Sequence, residues 1–131
     1  MVRELKREDL TYIHQTPAQL FGPNDALESI EAAIFGRKDS LYLIYETTEK
    51  KGYIGMHVDL DSAEIATLFV HPNHRRQGIG EALLKEAIHR LKKRDVKQVL
   101  LDVSIHNAPA LNMYEKMGFE VIHVRANYYP N

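Results

Sequence analysis

The chain has 131 residues, of which 44% are apolar, so we expect residues 1–131 to form one compact domain with a real core. Its 17 Lys and Arg and 18 Asp and Glu leave a net charge of −1. This balance gives no support to a nucleic-acid binder, which usually carries a basic surplus. The absence of cysteine excludes disulfides, thiolate zinc sites and a cysteine nucleophile.

The first half of the chain predicts four strands and two helices. The strands are runs rich in β-branched and aromatic residues, at Val2 to Leu5, Leu41 to Tyr45, Tyr53 to Val58 and Ala63 to Val70. The segment Thr47 to Gly52 is typical of a hairpin turn between two of these strands. The helices are expected from Arg7 to about Gln19 and from Asp25 to Phe35, before Gly36.

The second half begins with the clearest element, an amphipathic helix that starts at Gly78. Its apolar stripe consists of Ile79, Leu83, Leu84, Ala87, Ile88 and Leu91. Oppositely charged residues one turn apart are spaced to pair, namely Glu81 with Lys85 and Glu86 with Arg90. A strand (Val99 to Val103), a short helix (Ala108 to Met117) and a last strand (Phe119 to Val124) follow. This order of elements predicts a mixed α/β (α+β) fold.

A glycine-containing turn joins the strand that ends at Val70 to the amphipathic helix. It consists of Arg75, Arg76, Gln77, Gly78, Ile79 and Gly80. Glycine lets the backbone approach a ligand closely, and the N–H groups and dipole of a helix start favour an anion such as pyrophosphate. The turn is not a P-loop, which ends in Gly-Lys-Ser/Thr, and it lacks the third glycine of the dinucleotide fingerprint. The alternative interpretation is a plain strand-to-helix turn with solvated arginines.

Three segments, in this order, resemble the GNAT superfamily of N-acetyltransferases. They are Glu64 to Pro72, Arg75 to Gly80 and Asn107 to Phe119. The resemblance implies the GNAT fold, a mixed sheet that splays between its fourth and fifth strands and is flanked by about four helices. It also implies an enzyme that uses acetyl-CoA as acyl donor. The acetyl group would pass to a primary amine by direct attack in a ternary complex.

The same resemblance implies where acetyl-CoA binds. The backbone of Leu68, Phe69 and Val70 would pair with the pantetheine arm beside a bulge, and the turn from Arg75 to Gly80 would hold the pyrophosphate. Asn107 matches a residue that touches the cofactor, although a helix N-cap is an equally natural role for it. Backbone N–H groups at the bulge would polarise the thioester carbonyl.

Three residues are candidates for proton transfer. Tyr114 matches the tyrosine that protonates the departing thiolate in many relatives, and a phenol with a pKa near 10 suits that role. Its alternative role is a core aromatic. Glu64 stands where several relatives place a general base, and Asp102 matches the base position of the ribosomal-protein alanine acetyltransferases, which usually carry Glu there. We favour Glu64, and the alternative for both carboxylates is a solvated strand end.

The sequence leaves the acceptor amine open. Four acidic residues are expected to gather at one end of the sheet and to favour a cationic amine, namely Asp59, Asp61, Glu64 and Asp102. A protein N-terminus, a polyamine, an amino acid and an antibiotic amine all fit, and a non-catalytic acyl-CoA-binding module is the competing class. The seven histidines show no metal-binding spacing, and we expect His71 and His74 to be loop residues beside the cofactor.

The C-terminal segment, Val124 to Asn131, resembles the Arg-x-x-Tyr-Tyr segment of the ribosomal-protein alanine acetyltransferases, in which a further strand follows. Either Tyr128 and its neighbours form that strand, or a partner chain supplies it in a homodimer, or the sheet ends one strand short. No apolar run approaches the roughly 18 residues of a membrane span, and Met1 to Lys6 lacks the apolar stretch of a signal peptide. We expect a soluble cytoplasmic protein with no membrane or nucleic-acid partner.

Overall fold

The computed structural model describes residues 1–15, 31–32, 34–36, 39–102, 108–118, 120–122 and 125–128. Its strands are β1 Val2–Glu4, β2 Ser40–Glu46, β3 Lys50–Asp59, β4 Ser62–Val70, β5 Gln98–Asp102, β6 Glu120–Ile122 and β7 Arg125–Tyr128. Its α-helices are α1 Leu10–Gln15, α2 Ile79–Lys92 and α3 Ala108–Lys116, and 3-10 helices span Arg7–Asp9 and Pro72–His74. The strands form one mixed sheet in the order β1-β2-β3-β4-β5-β7-β6, which confirms the predicted fold class.

The predicted elements and the observed ones differ mainly at their ends. The first predicted helix begins as a 3-10 turn and continues as α1 to Gln15, and residues 16–19 lie outside the described part. Of the second predicted helix, only residues 31–32 and 34–35 are described, and they are helical. β3 begins three residues earlier than predicted, because Lys50 pairs with Glu46 of β2 and extends the ladder into the turn.

The face of the sheet beneath α2 carries the larger core. All six residues of the predicted stripe of α2 are buried, and they pack with Leu41, Leu43, Ile54, Met56, Val99 and Leu101 of the strands. Each large aliphatic side chain buried in this way contributes about 1.5–3 kcal/mol. Both predicted pairs on the outer surface form, with Glu81 3.5 Å from Lys85 and Glu86 3.0 Å from Arg90. The amphipathic pattern therefore determines which face of α2 is buried.

The opposite face of the sheet is covered by α1 and the helical residues before Gly36. Its buried cluster is formed by Leu5, Leu10, Ile13, Ile34, Tyr42, Ile44, Tyr53 and Phe69. Tyr53 lies between Tyr12 of α1 and Phe69 of β4, with ring centroids 6.2 Å and 5.5 Å away. Helices therefore lie on both faces, as the resemblance implied.

A β-bulge interrupts β4 at Ala66. Gly55 of β3 is in register with Thr67, whereas the next residue, Met56, is in register with Ile65, so Ala66 is the extra residue. The insertion reverses which side chains face α2. Before the bulge Ala63 and Ile65 belong to the α2-side core, and after it Leu68 and Val70 do.

β4 and β5 run parallel and pair only where they begin. The register joins Ser62 to Gln98 and Glu64 to Leu100. Beyond that point, the described residues of β5, Leu101 and Asp102, have no partner in β4 and pair with β7 instead. The two strands therefore part directly before the bulge, which confirms the predicted splay between the fourth and fifth strands.

The C-terminal residues complete the sheet within the chain. β7 lies between β5 and β6 and pairs antiparallel with both, so that Ala126 faces Leu101 on one side and Val121 on the other. Of the alternatives left open by the sequence, Tyr128 and its neighbours form the additional strand. The homodimer stays a prediction, and the structure places β6 rather than β7 at the edge of the sheet.

Candidate active site

The turn between β4 and α2 holds two residues with left-handed backbone angles. Gly78 has φ 77° and is the N-cap of α2, and Arg76 has φ 64°. Glycine adopts this conformation without cost. A residue with a side chain adopts it rarely, and the cases that occur are concentrated at functional sites. The sequence identified Gly78 as special, but it contained no signal for the unusual backbone of Arg76.

The start of α2 presents backbone donors that the helix itself does not use. The first intrahelical bond of the turn runs from Ala82 N–H to the Gly78 carbonyl, at 2.9 Å. The N–H groups of Ile79, Gly80 and Glu81 precede it, and Gly78 has no side chain that could cap them. Because the side chain of Ile79 is buried in the core, this residue can serve a ligand only through its backbone.

The cationic residues of the turn lie at its rim. Arg75, Arg76 and Gln77 are exposed, and Arg75 is tied to the strand by a 3.2 Å bond from its Nε to the Val70 carbonyl. A helix N-terminus flanked by arginines is an electropositive site that suits a phosphate group. The turn therefore combines the N–H groups of α2 with cationic side chains, an arrangement that would suit an anion.

Helix α3 lies beside this turn. A Cβ atom added to Gly80 would be 3.5 Å from Val70 Cγ2 and 3.6 Å from Met113 Sδ, so these three residues meet. One turn further along, Lys116 Nζ of α3 lies 3.5 Å from Glu81 Oε2 of α2. The structure therefore brings α3 against the first turn of α2.

Tyr114 is buried in the core beneath α2 and is 8% exposed. Burial raises the pKa of its phenol above the ordinary value, so the hydroxyl stays protonated at neutral pH. The packing agrees with the core-aromatic interpretation, and a protonated hydroxyl also meets the requirement of a proton donor. Its catalytic role remains a prediction.

The strand segment Leu68 to Val70 pairs with β3 on one edge, through Ile54, Tyr53 and Gly52. On its other edge, no described residue of β5 pairs with it. Alternate residues along this edge therefore offer N–H and C=O groups toward the space between the parted strands. This is the arrangement that the predicted pairing with a pantetheine arm requires.

The two candidate bases lie on the strands that part. Glu64 is exposed and is the last residue of β4 that pairs with β5. Asp102 ends β5, where its Cα is in register with Arg125 of β7. Both carboxyl-bearing residues therefore belong to the region where the sheet opens.

The expected gathering of four acidic residues was wrong. Asp59 and Asp61 lie at the exposed turn between β3 and β4, and the Asp61 carbonyl accepts a 2.6 Å bond from Lys97 N–H, just before β5 begins. Asp102 is four residues along β5 from Gln98, a backbone distance of about 13 Å. The error arose because the sequence does not reveal which end of each strand adjoins which turn.

His71 and His74 occupy the predicted loop, and Asn107 lies outside the described residues. His71 Nδ1 accepts from Asn73 N–H at 3.1 Å, and His74 Nε2 lies 2.8 Å from Glu49 Oε1. In the described ranges, no three metal-ligating side chains come together.

None of the helices described here is long and apolar enough to cross a bilayer.

Parted parallel strands, a bulge beside the gap and a helix start with unused N–H groups occur together in this fold, an arrangement that would suit a long, phosphate-bearing ligand. The chain belongs to the acetyltransferase (GNAT) family, whose model matches residues 2–119, and it is a GNAT-type N-acetyltransferase. This confirms the resemblance noted in the sequence.

Among its relatives is the [ribosomal protein bS18]-alanine N-acetyltransferase of Escherichia coli (strain K12). It is 38% identical over 92 residues, which cover 68% of this chain and 62% of that protein. The crystal structure of the ribosomal-protein-S18-alanine N-acetyltransferase from Escherichia coli has a TM-score of 0.82 and 23% identity, covering 98% of this chain and 92% of that one.

A second structural neighbour contains a ligand. The PaiA N-acetyltransferase of Thermoplasma acidophilum, solved in complex with coenzyme A, has a TM-score of 0.74 and 20% identity over 99% of this chain and 98% of that one. At this identity the likeness establishes a shared fold.

Proposed function

We propose that this chain transfers the acetyl group of acetyl-CoA to the N-terminal amine of a protein, by direct attack in a ternary complex. The observation that carries the proposal is the parting of β4 from β5 beyond Glu64, which leads along Leu68 to Val70 into the anion-binding turn. An elongated ligand with a phosphate end fits such a path, and coenzyme A is bound by a neighbour of the same fold.

The described residues fit acetyl-CoA at several points. The backbone edge of Leu68 to Val70 would hold the pantetheine arm, and the N–H groups that start α2 would hold the pyrophosphate, with Arg75 and Arg76 at the rim. When bound, acetyl-CoA supplies an activated acyl group.

The protein would contribute three effects to acyl transfer. Glu64 would accept the proton that an ammonium group must lose before it can act as nucleophile. Backbone N–H groups at the Ala66 bulge would polarise the acyl carbonyl. Tyr114, protonated at neutral pH, would donate to the departing sulfur. Asp102 is the alternative base.

A protein N-terminus is the acceptor that the relatives favour. The Escherichia coli relative is named for the alanine of ribosomal protein bS18. The exposed carboxylate of Glu64 at the open edge of β4 would attract the ammonium group of such an acceptor. We therefore infer that this chain acetylates a ribosomal-protein N-terminus.

The test is release of free CoA thiol and mass gain of the acceptor, measured with acetyl-CoA and a short peptide that begins with alanine. The same peptide with a blocked N-terminus is the control, and spermidine represents the small cationic amines. Acetylation of the free peptide alone is the expected result. Turnover of spermidine alone would replace the acceptor, and binding of acetyl-CoA without turnover of any amine would favour the non-catalytic module.

A further inference from the structure

The hairpin that joins β2 to β3 contacts the segment that enters the glycine turn (Arg75 to Gly80). Glu49 lies in this hairpin, and its Oε1 is 2.8 Å from Nε2 of His74. His74 ends the 3-10 helix Pro72–His74 and directly precedes Arg75. The contact therefore joins the hairpin to the chain segment that leads into the candidate cofactor site.

The segment before the glycine turn is held at both of its ends. At its start, the His71 N–H donates to the Lys51 carbonyl of β3 at 2.8 Å, and at its end the His74 side chain meets Glu49. The His74 side chain is 17% exposed, so most of it is enclosed by protein. Its ring also lies beside that of His71, with 5.7 Å between the two centroids. His74 is therefore fixed from two sides.

The backbone changes direction shortly after His74. Arg76 and Gly78 have left-handed φ angles of 64° and 77°, and α2 begins at Ile79. This short connection determines how the N–H groups that start α2 are oriented relative to β4. An anchor at His74 restricts the connection where it begins, so less conformational entropy is lost when a ligand binds there.

The charge of Glu49 indicates how this residue could favour a phosphate-bearing ligand. A carboxylate near a phosphate-binding turn opposes an anion through its electrostatic field. Glu49 can therefore favour such a ligand only through the residue that it holds. Loss of the charge and loss of the contact should change the affinity in opposite directions.

We propose that His74 is a positioning residue for acetyl-CoA: held by Glu49, it fixes the entry of the glycine turn, so that the turn is preorganised for the pyrophosphate. This inference rests on the proposed function, in which the same turn binds acetyl-CoA. His74 contacts neither the acyl group nor the amine in this proposal. It should therefore affect cofactor binding and leave the chemical step unchanged.

The experiment measures the Kd of CoA by isothermal titration calorimetry for Glu49→Ala and Glu49→Gln. Ala removes both the contact and the charge, whereas the amide oxygen of Gln can still accept a hydrogen bond from His74 Nε2. For Glu49→Ala we expect a Kd roughly two- to fivefold above that of wild type, the size typical of a partly exposed ion pair. Glu49→Gln should recover most of this loss. Unchanged or tighter binding by Glu49→Ala would overturn the proposal.

Three controls accompany this measurement. Glu8→Ala removes an exposed carboxylate elsewhere on the surface and should leave the Kd unchanged. His74→Gln keeps a donor close to the position of Nε2 and should bind CoA more tightly than His74→Ala. Thermal unfolding of each variant without cofactor shows whether it folds.

A double-mutant cycle and steady-state kinetics separate positioning from packing. If His74 acts through Glu49, His74→Ala should weaken CoA binding less in a Glu49→Ala background than in wild type. Equal losses in both backgrounds would overturn the proposal. In turnover of the alanine peptide, Glu49→Ala should raise KM for acetyl-CoA with kcat unchanged, and a loss confined to kcat would contradict a positioning role.

Failure of this inference can be distinguished from failure of the proposed function, because calorimetry needs no acceptor. A wild-type protein that does not bind CoA would remove both. A wild-type protein that binds CoA and acetylates the alanine peptide, together with a Glu49→Ala variant of the same affinity, would remove this inference alone.

Discussion

Met113 of α3 packs against Gly80 in the first turn of α2, its Sδ 3.6 Å from the position that a Cβ atom on residue 80 would take. This is an ordinary contact distance, and Gly80 is not among the glycines with positive φ. Gly78, two residues earlier, has open space around it and φ 77°. The two glycines of the turn therefore differ: the backbone angle of Gly78 favours glycine, whereas a methyl group at position 80 would fit.

Gly78→Val should abolish acetyl-CoA binding. A β-branched residue is strained at φ 77° and would cover the N–H groups that start α2. Gly80→Ala is the matched control, because its methyl group would contact Val70 and Met113 rather than the ligand side. Isothermal titration calorimetry with acetyl-CoA decides the matter, provided both variants unfold cooperatively. Unchanged affinity in Gly78→Val would remove the turn from the pyrophosphate site.

Tyr114→Phe should lower kcat by roughly 10²–10⁴-fold while acetyl-CoA affinity stays close to wild type. The substitution retains the buried ring and deletes only the hydroxyl. Tyr12→Phe is the control, because the Tyr12 hydroxyl is buried and finds no hydrogen-bond partner among the described residues, on the other face of the sheet. A Tyr114→Phe enzyme with the wild-type rate would leave Tyr114 as a core aromatic only.

Glu64→Gln should reduce turnover most at neutral pH. The loss should shrink as rising pH deprotonates the amine in solution, since the base is then no longer required. Asp102→Asn should have a smaller effect with little dependence on pH. Rate profiles of both variants on the alanine peptide make the comparison. If the pH-dependent loss appears only in Asp102→Asn, the base lies on β5, and if it appears in neither, ordered water carries the proton.

Asp9→Asn should lower the free energy of unfolding by about 3–5 kcal/mol, the cost of breaking a buried ionic network. The Asp9 side chain is fully buried and accepts two 2.9 Å bonds from Arg3, and Lys50 Nζ lies 2.8 Å from Oδ1. Without it, Lys50 would lose its 2.8 Å partner and Arg3 would keep only the 2.6 Å ion pair with Glu46. Glu8→Gln, at an exposed neighbouring position, should change stability by at most about 0.5 kcal/mol. Urea unfolding of both variants at pH 7 gives the comparison.

The same carboxylate predicts how stability depends on pH. Burial opposes the ionisation of Asp9, but hydrogen bonds from Arg3, Lys50 and the Lys6 N–H outweigh it and hold the pKa well below its usual range. A folded-state pKa below the unfolded value of about 3.9 means that the stabilisation is complete above that pH and lost as the pH falls below it. Wild-type stability should therefore decline in acid more steeply than that of Asp9→Asn. Parallel declines would show that Asp9 does not carry this linkage.

Several features of the fold followed from local pattern. The six-residue stripe of α2 and its two ion pairs appear in the structure as the periodicity predicted, because side-chain direction in a helix repeats every 3.6 residues. The glycine turn was located from its composition and its position between a strand and a helix. The predicted ends of the helices and strands were less accurate. β3, for example, begins earlier than predicted, because a β-ladder extends wherever a partner strand is present.

The family, the order of the elements up to β6 and the position of the glycine turn could be predicted from the sequence, because each depends on residues close together in the chain. The register that places His57 opposite Glu64, the position of the bulge at Ala66 and the insertion of β7 between β5 and β6 became known only from the three-dimensional structure. These features depend on which residues of distant segments pair. A shift of one residue in register would turn His57 and Glu64 to the opposite face, and the alternation of polar and apolar residues within one strand does not identify its partner.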